Sequence, residues 1–155
     1  MREMPAPEIT AVEWLNAPEP VRLEGLKGRV VAIFAFQQRC EGCVQHALPQ
    51  ARMLDSTYPK DDLAVIGLHC PFETSSRSGR APLEQFLTDQ GIAFPVAMDT
   101  DAGVWQPVTF SAYAMQGTPT IVLIGRNGKR RLQRLGHMED AQLREAIDAL
   151  ISEPG

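Results

Sequence analysis

The sequence predicts an α/β fold with a mixed sheet. Apolar runs of strand length alternate with helical patterns over the first two-thirds of the chain, and a strong hairpin signal lies near its end. Alternating strands and helices form right-handed βαβ units and a parallel sheet, to which the hairpin adds an antiparallel pair. With 155 residues, 44% of them apolar and 22% charged, residues 1–155 are expected to form a single domain with an N-terminal extension over 1–20.

The first half of the chain predicts two buried strands around one helix. Residues 29–37 read RVVAIFAFQ, a continuous apolar run typical of a strand buried on both faces. Apolar residues at helical spacing predict a helix over 41–56, and Pro49 within it is expected to cause a kink. Residues 62–70 form a second buried run, which leads into a polar loop.

The second half of the chain predicts shorter elements and a hairpin. The turn of the hairpin is Asn127-Gly128, the dipeptide that best fits a two-residue β-turn. The predicted elements are a helix over 82–90 that ends at Gly91, a strand over 94–99, a helix over 102–114 that contains Pro107, a strand over 120–124 that begins the hairpin, and an amphipathic helix that begins at Glu139.

Charge and hydropathy exclude several classes of protein. The formal net charge is −4, from 19 acidic and 15 basic residues. The chain therefore lacks the excess positive charge with which proteins bind the phosphates of nucleic acid. The basic residues of 126–134 are interpreted as the solvated surface of the hairpin. The longest apolar run, 30–36, is far shorter than the roughly 20 residues that span a bilayer. The acidic, proline-containing start lacks a secretory pattern, so a chain complete at this end is expected to be cytoplasmic.

Two cysteines three positions apart form the main chemical motif. Cys40 falls where a buried strand gives way to a helix, and backbone N–H groups at a helix start favour a thiolate. Cys43 lies about one turn further on, within reach of a mixed disulfide on Cys40. Arg39 favours the thiolate and Glu41 opposes it, so the sequence leaves the net effect open. A total of three cysteines also fits poorly with a secreted disulfide framework.

Other interpretations of these cysteines remain open at the level of sequence. A zinc site is one alternative, because His46 follows the pair and His69-Cys70 ends the neighbouring strand. A purely structural disulfide is another, although so short a loop constrains the unfolded chain little. Cys70 is either a third redox thiol at the same sheet edge or a buried spectator.

These motifs resemble the thioredoxin-like superfamily, and within it the redoxin branch that includes TlpA- and ResA-type thiol-disulfide oxidoreductases. The resemblance rests on CEGC between a buried strand and a proline-containing helix, and on GTPT at 117–120 before a strand. It implies a thioredoxin-like fold, with a central mixed sheet flanked by helices and a βα insertion between the CxxC helix and the cis-Pro strand. It also implies that Pro119 is cis and that Thr118 lines the groove for substrate.

The chain departs from the pattern of thioredoxins near the cysteines. Gln38-Arg39 stands where thioredoxins carry an aromatic residue, so Arg39 joins Thr118 and Pro119 as a candidate substrate-binding residue. The strand before the cysteines also lacks the buried aspartate that accepts a proton in thioredoxin. Glu73, in the insertion, is the nearest candidate for that role.

The leading hypothesis is a thiol-disulfide oxidoreductase. Cys40 would attack a disulfide, Cys43 would resolve the mixed disulfide, and an external redox partner would reset the pair. The substrate would be a protein or small-molecule disulfide or dithiol, and no cofactor or metal is required. One alternative is a peroxiredoxin-like thiol peroxidase, although Gln37 stands where that family has a threonine. The other is a non-enzymatic module that uses the groove or a thiol cluster for binding.

Overall fold

The computed structural model describes residues 4–70, 79–100 and 107–154. Within these ranges, the strands are β1 (Met4–Pro5), β2 (Ala11–Leu15), β3 (Val30–Phe36), β4 (Leu63–His69), β5 (Val96–Asp99), β6 (Thr120–Ile124) and β7 (Lys129–Leu135). The α-helices there are α1 (Leu48–Thr57), α2 (Arg80–Asp89), α3 (Val108–Ala112) and α4 (Asp140–Ser152). A 3₁₀ turn spans Leu23–Leu26, and a π-helical turn spans Cys43–Ala47.

The strands form one mixed sheet in the order β1-β7-β6-β3-β4-β5-β2. Strands β3, β4 and β5 are parallel to one another, as the alternating pattern predicts. Strand β6 runs antiparallel to β3 and to β7. The hairpin turn spans residues 125–128 and not Asn127-Gly128 alone, because the Gly128 N–H donates to the Gly125 carbonyl at 2.9 Å and only Gly128 of the predicted pair has a positive φ, 81°. The predicted α/β class and mixed sheet are therefore confirmed.

Strand β3 is the centre of the core. All of its residues are buried, and alternate side chains point to opposite faces of the sheet. Phe34 and Phe36 belong to the cluster that includes residues of α1 and α4, whereas Ile33 belongs to the cluster that includes residues of α3. The predicted burial on both faces is confirmed, and the rigid end of β3 carries the loop that leads to Cys40.

The helix that follows the cysteines differs from the continuous kinked helix predicted for 41–56. A π-helical turn precedes α1, and the Leu48 N–H bonds to the Cys43 carbonyl, five residues back. Pro49 explains this widening, because it has no N–H for the carbonyl of Gln45 and its ring crowds that carbonyl. The extra residue in the turn lies between the cysteine pair and the regular part of the helix.

The N-terminal residues, expected as an extension, contribute edge strands on both sides of the sheet. Strand β1 pairs with β7, and β2 pairs with β5. Hydrogen bonds hold the segment between these two strands on the domain. The Tyr113 hydroxyl donates to the Pro7 carbonyl at 2.6 Å, and the Glu8 carboxylate accepts the N–H groups of Leu23 and Glu24. The single-domain assignment for 1–155 stays a prediction.

Other predicted elements are displaced or shortened. Helix α2 begins at Arg80, two residues before the predicted start, and ends before Gly91, whose φ is 68°. Helix α3 begins after Pro107, and residues 102–106 of the predicted helix lie outside the described ranges. Two arginines of the basic hairpin make intramolecular bonds: Arg126 donates to the Gly28 and Glu153 carbonyls, and Arg130 donates to the Tyr113 carbonyl.

Replacing Asp99 with alanine is expected to destabilise the fold by about 3 kcal/mol. Asp99 is 2% exposed and accepts the N–H groups of Thr100, Thr109 and Phe110, each at 2.8 Å. The substitution leaves donors at the start of α3 without this acceptor. Urea unfolding measures the loss, with the exposed Asp61→Ala as the matched control; a loss below about 1 kcal/mol would contradict this role.

Candidate active site

The cysteine pair forms a disulfide at the point where the chain leaves β3 and enters the helical segment. Cys40 and Cys43 have Cα atoms 5.1 Å apart. Cys40 is partly exposed, whereas Cys43 is fully buried. The Cys43 backbone N–H donates to Cys40 Sγ at 3.2 Å, a contact that favours negative charge on this sulfur after reduction. The accessible sulfur is thus also the one with an N–H donor.

The loop before β6 packs directly on the cysteine turn. The Thr118–Pro119 peptide bond is cis. Gly42 lies against the proline ring, since a Cβ atom placed on it would be at van der Waals distance, 3.4 Å, from Pro119 Cδ. The Gly136 N–H donates to the Pro119 carbonyl at 2.8 Å, which fixes the other side of the loop. The structure therefore brings the cysteines together with the predicted groove residues Thr118 and Pro119.

Gln37 connects the two halves of the site. The Thr118 hydroxyl donates to Gln37 Oε1 at 3.2 Å. Sequence reasoning considered Gln37 only as a departure from the peroxidase pattern and missed this contact. No spacing rule could reveal it, because the two residues are distant in sequence and meet only when β6 lies beside β3.

Two charged residues flank Cys40 in the chain, Arg39 before it and Glu41 after it. Arg39 is exposed next to Cys40, at the rim of the site. Glu41 is exposed, and its carboxylate accepts from Gln45 Nε2 at 3.2 Å. Glu73, the candidate proton acceptor, lies outside the described residues.

Cys70 is separated from the disulfide by the sheet. It is 1% exposed and belongs to the core cluster on the α3 side, whereas Cys43 belongs to the α1 cluster. Burial raises the pKa of the Cys70 thiol, and the nearby Asp99 carboxylate raises it further. A buried thiol with suppressed ionisation fits the spectator interpretation better than a resolving role.

His69 is a buried titratable group at the end of β4, opposite the last residue of β3. It pairs with Phe36 across β3 and β4, is 6% exposed, and lies with its ring centroid 5.4 Å from that of Phe36. Its Nε2 is 3.5 Å from Gln38 Nε2, and among the described residues its Nδ1 has no partner. Burial lowers the pKa of His69 to about 4, so the imidazole is neutral at pH 7.

The zinc ligands suggested by the sequence do not converge. His46 is exposed, His69 is buried in the sheet, and Cys70 lies in the opposite core cluster. Across residues 4–70, 79–100 and 107–154, no group of three or more His, Cys, Asp or Glu side chains is arranged to hold a metal ion. The proposed Cys/His ligand set is therefore not formed.

Within residues 4–70, 79–100 and 107–154, no helix has the length and apolar character required to cross a membrane.

Comparison with known proteins identifies the family. The model of the family described as Redoxin matches residues 1–150. The chain belongs to the redoxin family. This redoxin is 30% identical to human NHL repeat-containing protein 2 over 145 residues, 87% of the chain but 18% of that protein. It is also 30% identical to protein DipZ of Mycobacterium bovis over 134 residues, 84% of the chain and 18% of DipZ. The redoxin chain thus spans less than a fifth of the length of these curated relatives.

Solved structures match the redoxin over nearly its whole length. A thioredoxin-like superfamily protein shares 36% identity with a TM-score of 0.94, covering 98% of this chain and 99% of its own. A thiol-disulfide isomerase from Corynebacterium glutamicum shares 36% identity with a TM-score of 0.91, covering 97% of both chains. The thioredoxin-like fold implied by the sequence motifs is confirmed.

The stability of this redoxin should depend on pH through His69. A lowered folded-state pKa means that the unfolded chain binds the proton more readily between about pH 6.5 and pH 4. Above about pH 6.5, protonation of His69 therefore does not affect the free energy of unfolding. By pH 4 it lowers that free energy by about 3 kcal/mol. Urea unfolding at both pH values measures the fall in the free energy of unfolding. This fall should be smaller by about 3 kcal/mol in His69→Gln than in the exposed-site control His137→Gln. Equal pH dependence in both variants, or an NMR titration of His69 near pH 6.5, would contradict the assignment.

Proposed function

We propose that the chain is a thiol-disulfide oxidoreductase in which Cys40 is the nucleophile and Cys43 the resolving thiol. The observation that carries this proposal is the asymmetry of the disulfide. Cys40 is accessible and receives the Cys43 N–H, whereas Cys43 is buried directly behind it. Membership of the redoxin family and the 36% identity to a protein named as a thiol-disulfide isomerase support the same activity.

The reaction in the reducing direction has two exchange steps. The Cys40 thiolate attacks one sulfur of a substrate disulfide, so that a Cys40–substrate bond forms, the substrate S–S bond breaks and one substrate thiolate leaves. Cys43 then loses its proton and attacks Cys40 Sγ, which forms the Cys40–Cys43 disulfide seen here. The second substrate thiolate leaves and takes up a proton. An external dithiol resets the pair, and the same steps in reverse oxidise a dithiol.

The groove beside Pro119 is the proposed docking site for the substrate. Backbone groups of Thr118 are suited to pair with an extended chain, as in β-strand addition, and Arg39 lies at the rim. A protein or small-molecule disulfide or dithiol fits this arrangement. The cytoplasmic location and a proton-acceptor role for Glu73 stay predictions. Of the two alternatives for Cys70, its burial in the other core cluster supports a spectator over a third redox thiol.

A catalysed exchange assay tests the proposal against the peroxidase alternative. The protein should accelerate reduction of insulin disulfides by dithiothreitol, and hydrogen peroxide should consume its thiols only slowly and without saturation. Fast, saturable thiol loss with peroxide, together with no acceleration of insulin reduction, would overturn the proposal in favour of a peroxidase.

Gln37→Leu is expected to lower kcat/KM for a protein disulfide by about 3- to 10-fold, mainly through KM. The substitution removes the acceptor for the Thr118 hydroxyl and loosens the loop on which the substrate docks. Steady-state kinetics measure the effect, and Gln45→Leu is the matched control because Gln45 is exposed and its side-chain amide donates to exposed Glu41. Unchanged kcat/KM in Gln37→Leu, or an equal fall in the control, would contradict this role.

A further inference from the structure

Two exposed histidines form a pair next to the cysteine site. His46 lies in the π-helical turn, three residues after Cys43, and His137 lies in the segment between β7 and α4. Their ring centroids are 4.9 Å apart and their planes are inclined by 49°. The redox mechanism proposed above uses neither imidazole, so their juxtaposition calls for a separate explanation.

The separation of the rings matches a pair that shares one metal ion. Imidazole nitrogens bind zinc at about 2.0–2.1 Å, and each ring centroid then lies about 3.2 Å from the metal. At a tetrahedral or right angle between the two bonds, the centroids are roughly 4.5 to 5.2 Å apart. The observed 4.9 Å falls within this interval.

A carboxylate, that of Glu139, lies beside the ring of His137. Its Oε1 lies 3.4 Å from His137 Nε2. A carboxylate at this position favours the tautomer with the proton on Nε2, which leaves the lone pair of Nδ1 available for a metal. Metal-binding histidines commonly have such a carboxylate beside their second ring nitrogen.

We propose that His46 and His137 chelate one divalent transition-metal ion of the Zn²⁺, Ni²⁺ and Cu²⁺ class. Imidazole ligands select this class over Mg²⁺ and Ca²⁺, which prefer oxygen. Because the described residues provide no set of three or more donors, water fills the remaining positions and the metal stays open to a further ligand. The site requires neither cysteine and does not depend on the proposed redox function.

The location of this two-histidine site places the ion beside the groove. His137 follows Gly136, whose N–H bonds to the Pro119 carbonyl, and His46 belongs to the segment that carries Cys43. The ion therefore connects the cysteine-bearing turn to the end of the hairpin across the edge of the active site.

Calorimetric titration of the untagged, oxidised protein with Zn²⁺ tests the proposal. The disulfide keeps Cys40 and Cys43 from binding the metal, Cys70 is buried, and the chain contains only three histidines. We expect one ion per chain, loss of binding in His46→Ala and in His137→Ala, and an affinity lower by about 10-fold in Glu139→Gln. Gln45→Ala, on the same turn as His46, should bind like the wild type.

An NMR titration with Ni²⁺ provides a second readout that does not rely on substitutions. Paramagnetic broadening should affect the imidazole signals of His46 and His137 together and spare that of buried His69. Zn²⁺ binding that persists in either single histidine variant, less than one ion per chain, or broadening of only one of the two exposed histidines would overturn the proposal.

Discussion

Cys40→Ser is expected to lose disulfide exchange by at least about a thousandfold, a loss comparable to removal of a catalytic nucleophile in hydrolases. Serine keeps the shape of the turn and the N–H contact from Cys43, but its hydroxyl does not ionise near neutral pH and cannot form a disulfide. Insulin reduction by dithiothreitol measures the rate.

The matched control for this variant is Cys70→Ala. Cys70 lies in the core cluster on the other face of the sheet, so its removal should leave turnover close to that of the wild type. Full turnover in Cys40→Ser, or an equal loss in folded Cys70→Ala, would contradict the assignment of Cys40 as the nucleophile.

Cys43→Ser is expected to accumulate a mixed disulfide. Cys40 remains able to attack, but the buried thiol that should release the substrate is gone. After reaction with a substrate disulfide in the absence of added reductant and an acid quench, intact mass should show one adduct on most chains. A peptide map should place this adduct on Cys40.

The double variant Cys40→Ser/Cys43→Ser is the control for this trap, and it should carry no adduct. Rapid release of substrate from Cys43→Ser at the wild-type rate would show that another group resolves the intermediate. Cys70 would then have to reach Cys40, which its place in the other core cluster disfavours.

The elements that sequence predicts well are those specified by local pattern. The seven buried residues of β3 form a continuous apolar run, and Asn127-Gly128 marks the place of the hairpin of β6 and β7, although its turn spans residues 125–128. Both signals lie within a few neighbouring residues. The same holds for the position of Cys40 at the strand-to-helix boundary, which follows directly from the order of the two patterns.

The sequence predicts where the helix is irregular, but it does not predict that the irregularity is a π-helical turn. Pro49 indicates that the helix is disturbed, yet apolar spacing does not distinguish a kink from one extra residue in the preceding turn. The difference depends on which carbonyl the Leu48 N–H reaches, and in the structure this is the carbonyl of Cys43 and not that of Val44.

The edge strands escaped prediction for a different reason. Strand β1 has two residues, and β2 carries the partly exposed pattern of an edge strand with little periodicity. Their pairing with β7 and β5 depends on which edges the rest of the sheet leaves open, which is a property of the assembled sheet.

The alternation of side chains along β4 indicates on which face of the sheet Cys70 lies. Side chains alternate along a strand, so His69 at the end of β4 and Cys70 after it are expected to point to opposite faces. Phe36 shares the face of His69 and lies in the cluster of Cys43, which places Cys70 away from the redox pair. The contact of Gln37 with Thr118 had no comparable signal, because only the fold brings these residues together.

The central claim is that Cys40 and Cys43 form one redox couple. The most direct test is to count free thiols by mass after alkylation of the denatured protein, across a series of thiol/disulfide redox buffers. We predict a single two-electron step that peptide mapping assigns to Cys40 and Cys43, with Cys70 reduced throughout. The absence of an intramolecular step, or a disulfide between Cys40 and Cys70, would contradict the account.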